Sequence, residues 1–222
     1  MTHAISGRLI AVITVITGIT VLLALPRPVI AQGAGINAVA LAASHRLLGD
    51  PLTGGAAFLE FPRGGGRVTV RLGGELLRGS SRRTGSLCVG LVPPGGCTDE
   101  PLRDDAWLAT FAGGLGARVL SRDRFAVKLT GDFRLGVVES DTHGLTSGGR
   151  LSADETLWGA DVGIEGAWSP WATKPLALVA GVSVGGLLPV MLDAVSDGYT
   201  PFNTPFHFTR VGVGVAWRPR TR

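Results

Sequence analysis

Residues 124–138 alternate almost without a break, and that alternation restricts the chain to few folds. Phe125, Val127, Leu129, Phe133, Leu135 and Val137 fall on one side of an extended backbone, and Arg124, Lys128, Thr130, Asp132 and Arg134 on the other. A period of two belongs to a β-strand with one apolar and one polar face. The run is about fifteen residues long, against roughly five or six for a mean globular strand. A tilted strand that crosses a bilayer needs roughly nine to eleven. Charges of both signs on the polar face fit the inside of a closed barrel whose outside is wetted by lipid.

The same habit recurs along the chain. Val68, Val70, Leu72 and Leu76 alternate with Arg67, Thr69, Arg71 and Glu75. Trp107, Ala109, Phe111, Leu115 and Val119 alternate with smaller or polar residues, among them Thr110 and Arg118. Ala160, Val162 and Ile164 alternate with Asp161, Gly163 and Glu165. Two further runs, 176–184 and 210–217, repeat it with aliphatic residues against Ser183, Arg210 and glycines. A weaker strand is expected over 37–48, with Val39 and Leu41 on one side, and a short one over 55–61 that carries Glu60 inward. The expectation is an all-β, eight-stranded, antiparallel up-and-down transmembrane barrel.

The connections sort into two kinds. Those at 62–66, 121–123 and 169–174 are short, while 79–104, 140–153 and 189–204 are long, and the two kinds alternate. The connection at 49–54 is the exception, no longer than a turn. Outer-membrane barrels keep short turns in the periplasm and long loops outside, so both termini are expected on the periplasmic side. The five tryptophans agree. Trp107 and Trp158 fall at outer strand ends, and Trp168, Trp171 and Trp217 at the periplasmic side, the two places where amphipathic rings concentrate.

Residues 1–31 read as an export signal. Arg8 gives the basic start, 9–25 are apolar, and Val29 and Ala31 offer small residues for cleavage. The mature domain is then 32–222. Removing Arg8 and Arg27 lowers the net charge from +4 to +2, which is no nucleic-acid-binding balance. In an exported chain the two cysteines, Cys88 and Cys97, are expected to form a local disulfide.

The closing segment 210–217 resembles the C-terminal assembly signal of outer-membrane barrels in Arg210, Gly212, Val215 and Trp217. Five residues follow the aromatic here, where that signal usually ends. Taken whole, 32–222 resembles a small OmpA/OmpX-type outer-membrane β-barrel. The resemblance implies an outer membrane of the Gram-negative type, contact with lipid and lipopolysaccharide, insertion by the barrel-assembly machinery and a monomeric state. It implies no cofactor.

The expected lumen carries six cations, Arg67, Arg71, Arg118, Lys128, Arg134 and Arg210, and five acids, Glu60, Glu75, Asp132, Asp161 and Glu165. Buried charges persist when paired, and eight strands leave an interior that side chains fill. The expectation is a plugged polar lumen rather than a narrow pore, and a non-enzymatic role in structure, adhesion or ligand contact. Residues 80–104 are the expected contact loop. A soluble lipocalin-like barrel is the alternative, and would turn its apolar face inward.

One enzymatic reading remains. His207 and Thr209 share a face of the last strand, loosely similar to the His-x-Ser of lipid A deacylases, with Glu139 as a guessed orienting acid. An interfacial His and Thr beside Phe206 and Phe208 is the plainer expectation. His45, His143 and His207 are isolated, without metal-ligand spacing. The acids Asp99, Glu100, Asp104 and Asp105 are expected on a solvated loop.

Overall fold

The computed structural model describes residues 33–45, 48, 50–63, 67–86, 99–171, 174–190 and 205–218. Eight strands run in chain order: β1 (Gly33–Ala43), β2 (Leu52–Arg63), β3 (Val68–Ser86), β4 (Asp99–Arg122), β5 (Phe125–Gly144), β6 (Arg150–Trp168), β7 (Leu176–Pro189) and β8 (Phe206–Trp217). Each pairs antiparallel with the next, and β1 pairs with β8 from Ala34↔Trp217 to Ala43↔Phe208, which closes the sheet. Every apolar–polar alternation read from the sequence is thereby converted into an outside and an inside.

The outside is apolar. Ile36, Leu76, Leu115, Leu129, Phe133, Val162, Val182 and Val213 are all exposed, while Glu60, Glu75, Lys128, Arg134, Asp161 and Glu165 are buried in the interior. A soluble calyx would have the reverse arrangement. Strand β6 measures the apolar belt. Trp158 and Trp168 stand on its outer face, ten residues apart, and both are exposed. At ~3.4 Å per residue that is about 34 Å along the strand. A tilt of about 40° reduces it to about 26 Å, close to the ~25 Å apolar band of outer-membrane barrels.

The turn end is tight. Arg122 pairs with Phe125 across a two-residue turn in which Asp123 takes φ 41°, a left-handed conformation that Asp tolerates better than most residues. The loop end departs from expectation. Most of 79–104 is ladder, paired from Gly79↔Ala106 to Ser86↔Asp99. Likewise 140–153 is paired from Ser140↔Ala153 to His143↔Arg150. Strands β3 to β6 therefore rise past Trp107 as one four-stranded wall, and β4 continues eight residues beyond that tryptophan, about 27 Å along the strand. The first strand ends at Ala43 rather than at 48. Cys88, Cys97 and residues 1–31 lie outside the described residues.

Candidate functional site

The lumen is built in three layers. Nearest the turn end, two carboxylates share three cations. Glu60 Oε1 lies 2.7 Å from Lys128 Nζ and 3.9 Å from Arg71 Nε, and Glu60 Oε2 lies 3.1 Å from Arg218 Nε. Glu165 takes Arg71 at 3.1 Å and Arg218 at 2.7 Å. The Arg71 guanidinium also sits 5.0 Å from the centre of the Phe58 ring.

The middle layer centres on Arg134. Its Nε donates to Asp161, and its Nη1 reaches Glu75 at 3.4 Å and Thr110 Oγ1 at 3.3 Å. Arg210 Nε donates to Glu75 Oε2 at 2.5 Å. Asp132 lines the same cavity of about 60 Å³ as Arg71, Arg134 and Arg210. Gly114 makes room for it, since a Cβ there would stand 2.3 Å from Asp132 Oδ1. The cavity has room for a few waters at about 10–15 Å³ each. It is also lined by Asn37 and Ser183, whose buried Oδ1 and Oγ have no hydrogen-bond partner among the described residues.

The third layer, toward the loop end, is apolar. Val39 and Leu41 of β1, Leu52 of β2, Leu77 of β3, Ala106 and Leu108 of β4, Val138 of β5, Leu157 of β6, Leu187 of β7, and Phe206 and Phe208 of β8 form one buried cluster with Leu48. All eight strands contribute. Leu77, Leu108, Val138 and Leu157 have 0% exposure. The Phe208 ring lies 5.7 Å from the Arg134 guanidinium, which joins this apolar disc to the charged layer beneath.

Above the disc, the wall is fixed from its concave side. Asp104, 1% exposed, accepts from Arg83 Nε at 2.7 Å and from Thr142 Oγ1 at 2.5 Å. Glu100 accepts from the backbone N–H groups of Thr146 and Ser147, at 2.8 and 2.9 Å, and from the Ser147 hydroxyl. The Ser147 hydroxyl, then these two N–H groups, hold the Glu100 carboxyl below its ordinary value. Strand alternation splits the acidic stretch. Glu100 and Asp104 are buried, while Asp99 is exposed and Asp105 half-buried. Among the described residues no His, Cys, Asp and Glu group could hold a metal.

No protein-family model matches the chain, and no curated protein matches it. Solved structures do. A major outer membrane protein from Thermus thermophilus is similar at 14% identity, covering 84% of this chain and 99% of that one, with a TM-score of 0.50. Neisserial surface protein A is similar at 12% identity, covering 84% and 96%, with a TM-score of 0.49. The attachment invasion locus protein of Yersinia pestis is similar at 10% identity, covering 83% and 95%, with a TM-score of 0.45. The fold is that of the small eight-stranded outer-membrane β-barrels.

In this barrel nine of the eleven expected lumen charges meet. Arg67 and Arg118 do not. They keep the inward parity of their strands but stand past the rim at the turn end, exposed, and β4 has a register shift between Arg118 and Leu120. Sequence reasoning missed Arg218, which lies just past the terminal aromatic and turns back onto Glu60 and Glu165. With these changes the lumen holds five cations and five acids. The expected side-chain-filled polar lumen is polar only in its half toward the turn end, because the half toward the loop end is the apolar disc. The signal was present in doublets such as Leu76-Leu77, Val137-Val138 and Leu187-Leu188, where both faces of a strand are apolar.

Trp158, Trp168 and Trp217 are exposed on the barrel's outside, and Trp171 is exposed in the turn after β6. Trp107 is half-buried and donates through Nε1 to Glu139 Oε2 at 2.6 Å. That bond places Glu139 between β4 and β6, three strands from β8. His207 and Thr209 face outward on β8, while Phe206 and Phe208, expected beside them at the interface, turn inward. The three residues of the enzymatic reading do not come together.

Proposed function

We propose that this chain is a non-enzymatic outer-membrane barrel, closed to ions, that acts through its outer surface in envelope structure, adhesion or ligand contact. The observation that carries the reading is the sealed lumen. An ion passing the disc would leave water for an apolar layer, a transfer that costs of order 20 kcal/mol in the limiting case. Below the disc, five cations are ion-paired with four acids, and Asp132 faces the small cavity left between them. What is left to interact is the exterior.

The turn end and both termini face the periplasm, and the β3–β6 wall stands outside the cell. The belt contacts outer-membrane lipid and lipopolysaccharide after insertion by the barrel-assembly machinery. Closure of β1 on β8 leaves no unpaired sheet edge within the belt, which favours a monomer. The separation of Glu139 from His207 and Thr209 supports the non-enzymatic part.

The test combines gel mobility with conductance. A membrane-resident band that shifts on boiling, together with silence in a planar bilayer, is the expected result. A soluble protein without a shift, or steady conductance from the unmodified chain, would overturn the reading.

A further inference from the structure

The belt is not equally bulky all round. Its β5–β6 side carries Phe133, Trp158 and Ile164, whereas β1, β2 and β3 present Ala38, Gly55, Ala57 and Gly74 on the outer face. Over these small residues runs an apolar groove of about 1040 Å³, from Val213 and Ile36 past Leu76 to Leu135 and Val137; Ile36 and Leu76 on its walls are 68% and 61% exposed. A second hollow of about 670 Å³ shares Ile36, Ala57, Gly74 and Phe111 with it and continues toward the turn end. Together the two hollows cover Leu72 to Leu76 of β3, which alone spans about 13 Å.

The same face changes character above the groove. The next outward residue of β3 after Leu76 is Arg78, paired with Thr53 on one side and Trp107 on the other. Ser80 and Arg82 follow on that face, and Arg82 lies directly opposite Arg103. Like charges set opposite each other across a ladder repel. Arg103 is held by Asp105 at 3.1 Å. Arg78 and Arg82 are exposed and have neither an ion pair nor a side-chain hydrogen bond among the described residues. Asp50 shares a hollow with Ser80, Arg82 and Arg103.

We infer that this face binds one molecule of outer-leaflet lipopolysaccharide, with an acyl chain along the groove and its phosphates on Arg78 and Arg82. This rests on the membrane placement proposed above. Two features select that lipid. Arg82 is four residues beyond Arg78, about 13 Å along the strand, so the two cations wait at different heights. A phosphorylated sugar headgroup reaches both, whereas a glycerophospholipid offers its phosphate at one level. A second copy of the chain fits worse, because a two-fold pairing through this groove brings Arg78 and Arg82 of both copies together.

The experiment is lipid retention by native mass spectrometry. The refolded full chain is titrated with bisphosphorylated lipid A, with the same lipid dephosphorylated, and with phosphatidylethanolamine. Bisphosphorylated lipid A is expected to be retained in preference to both others. The pair R78Q/R82Q should weaken that retention by about two- to thirtyfold, the combined size of two exposed ion contacts. The pair G55L/G74L should weaken it by filling the groove. Both glycines tolerate a side chain, since a Cβ at either has its nearest neighbour at 3.8 Å. Equal retention of the three lipids, indifference to either variant, or a dimer cross-linked through the groove would overturn the inference. Gel mobility before and after boiling is the control. A chain that never enters membranes refutes the placement itself, while an inserted barrel that does not discriminate among the lipids refutes this inference alone.

Discussion

Replacing Glu60 with Gln tests whether the lumen charges act as a paired set. Glu60 is the hub of the lower layer, with Lys128 at 2.7 Å, Arg218 at 3.1 Å and Arg71 at 3.9 Å. The Glu60 and Lys128 side chains are both 4% exposed, so water screens neither well. The change leaves three cations facing Glu165 alone. Removing one partner of a buried pair costs about 3–5 kcal/mol, a large share of a typical stability of about 5–15 kcal/mol. K128M should cost less, because Glu60 keeps both arginines. In the double variant E60Q/K128M the lower layer regains its starting balance, so the two costs should fall short of additivity by about 0.5–3 kcal/mol. Urea unfolding in micelles, followed by tryptophan fluorescence, measures all three. With a slope of about 1–3 kcal/mol per molar urea, E60Q should lower the midpoint by one molar or more. A stability unchanged to within about 0.5 kcal/mol, or strict additivity in the double variant, would refute the reasoning.

Three further outcomes are expected. The triple change L77S/L108S/L157S wets the disc while leaving the ion pairs alone, and should turn a silent barrel into a weakly conducting one in a planar bilayer, as loss of a dewetted constriction does; continued silence would assign the seal to the charged layers instead. Arg67→Ala and Arg118→Ala should each leave stability within about 0.5 kcal/mol, whereas Arg218→Ala should destabilise measurably in the same urea titration, and the opposite ranking would return the rim arginines to the network. Glu100 has its folded value depressed, so the order that it gives to 145–149 is present above the ordinary 4.5 and is lost as pH falls through the depressed value; proteolysis of that tip should therefore accelerate in acid, and in Glu100→Gln it should be fast at every pH.

How far the sequence could be read depended on contrast between the two faces of a strand. Where Leu129 opposes Lys128, or Val162 opposes Asp161, polarity alternates sharply, and the position of the strand and the direction of each charge both follow. Contrast fails in two places. In the disc both faces are apolar, as at Leu76-Leu77, so the inward leucines pass for more of the lipid belt. In the wall both faces are polar, as over Ser80, Ser81, Arg82 and Arg83, so a continuous ladder passes for a loop. Parity also cannot tell where a barrel ends, which is why Arg67 and Arg118 kept the right face but stand beyond the rim. Arg218 was hidden for a different reason. It lies outside any alternating run, and only closure of the barrel brings it to Glu60, 158 residues away in the chain.

The apolar disc also bears on the order of events in folding. It takes at least one side chain from every strand, so no hairpin or open partial sheet contains it. Until β1 meets β8, Val39 and Leu41 at the first edge and Phe206 and Phe208 at the last have no partner across the bore, and that contact spans most of the chain. Contacts this distant in sequence are slow to form. The final seam and the watertight seal should therefore arrive together, and an unclosed intermediate should leak.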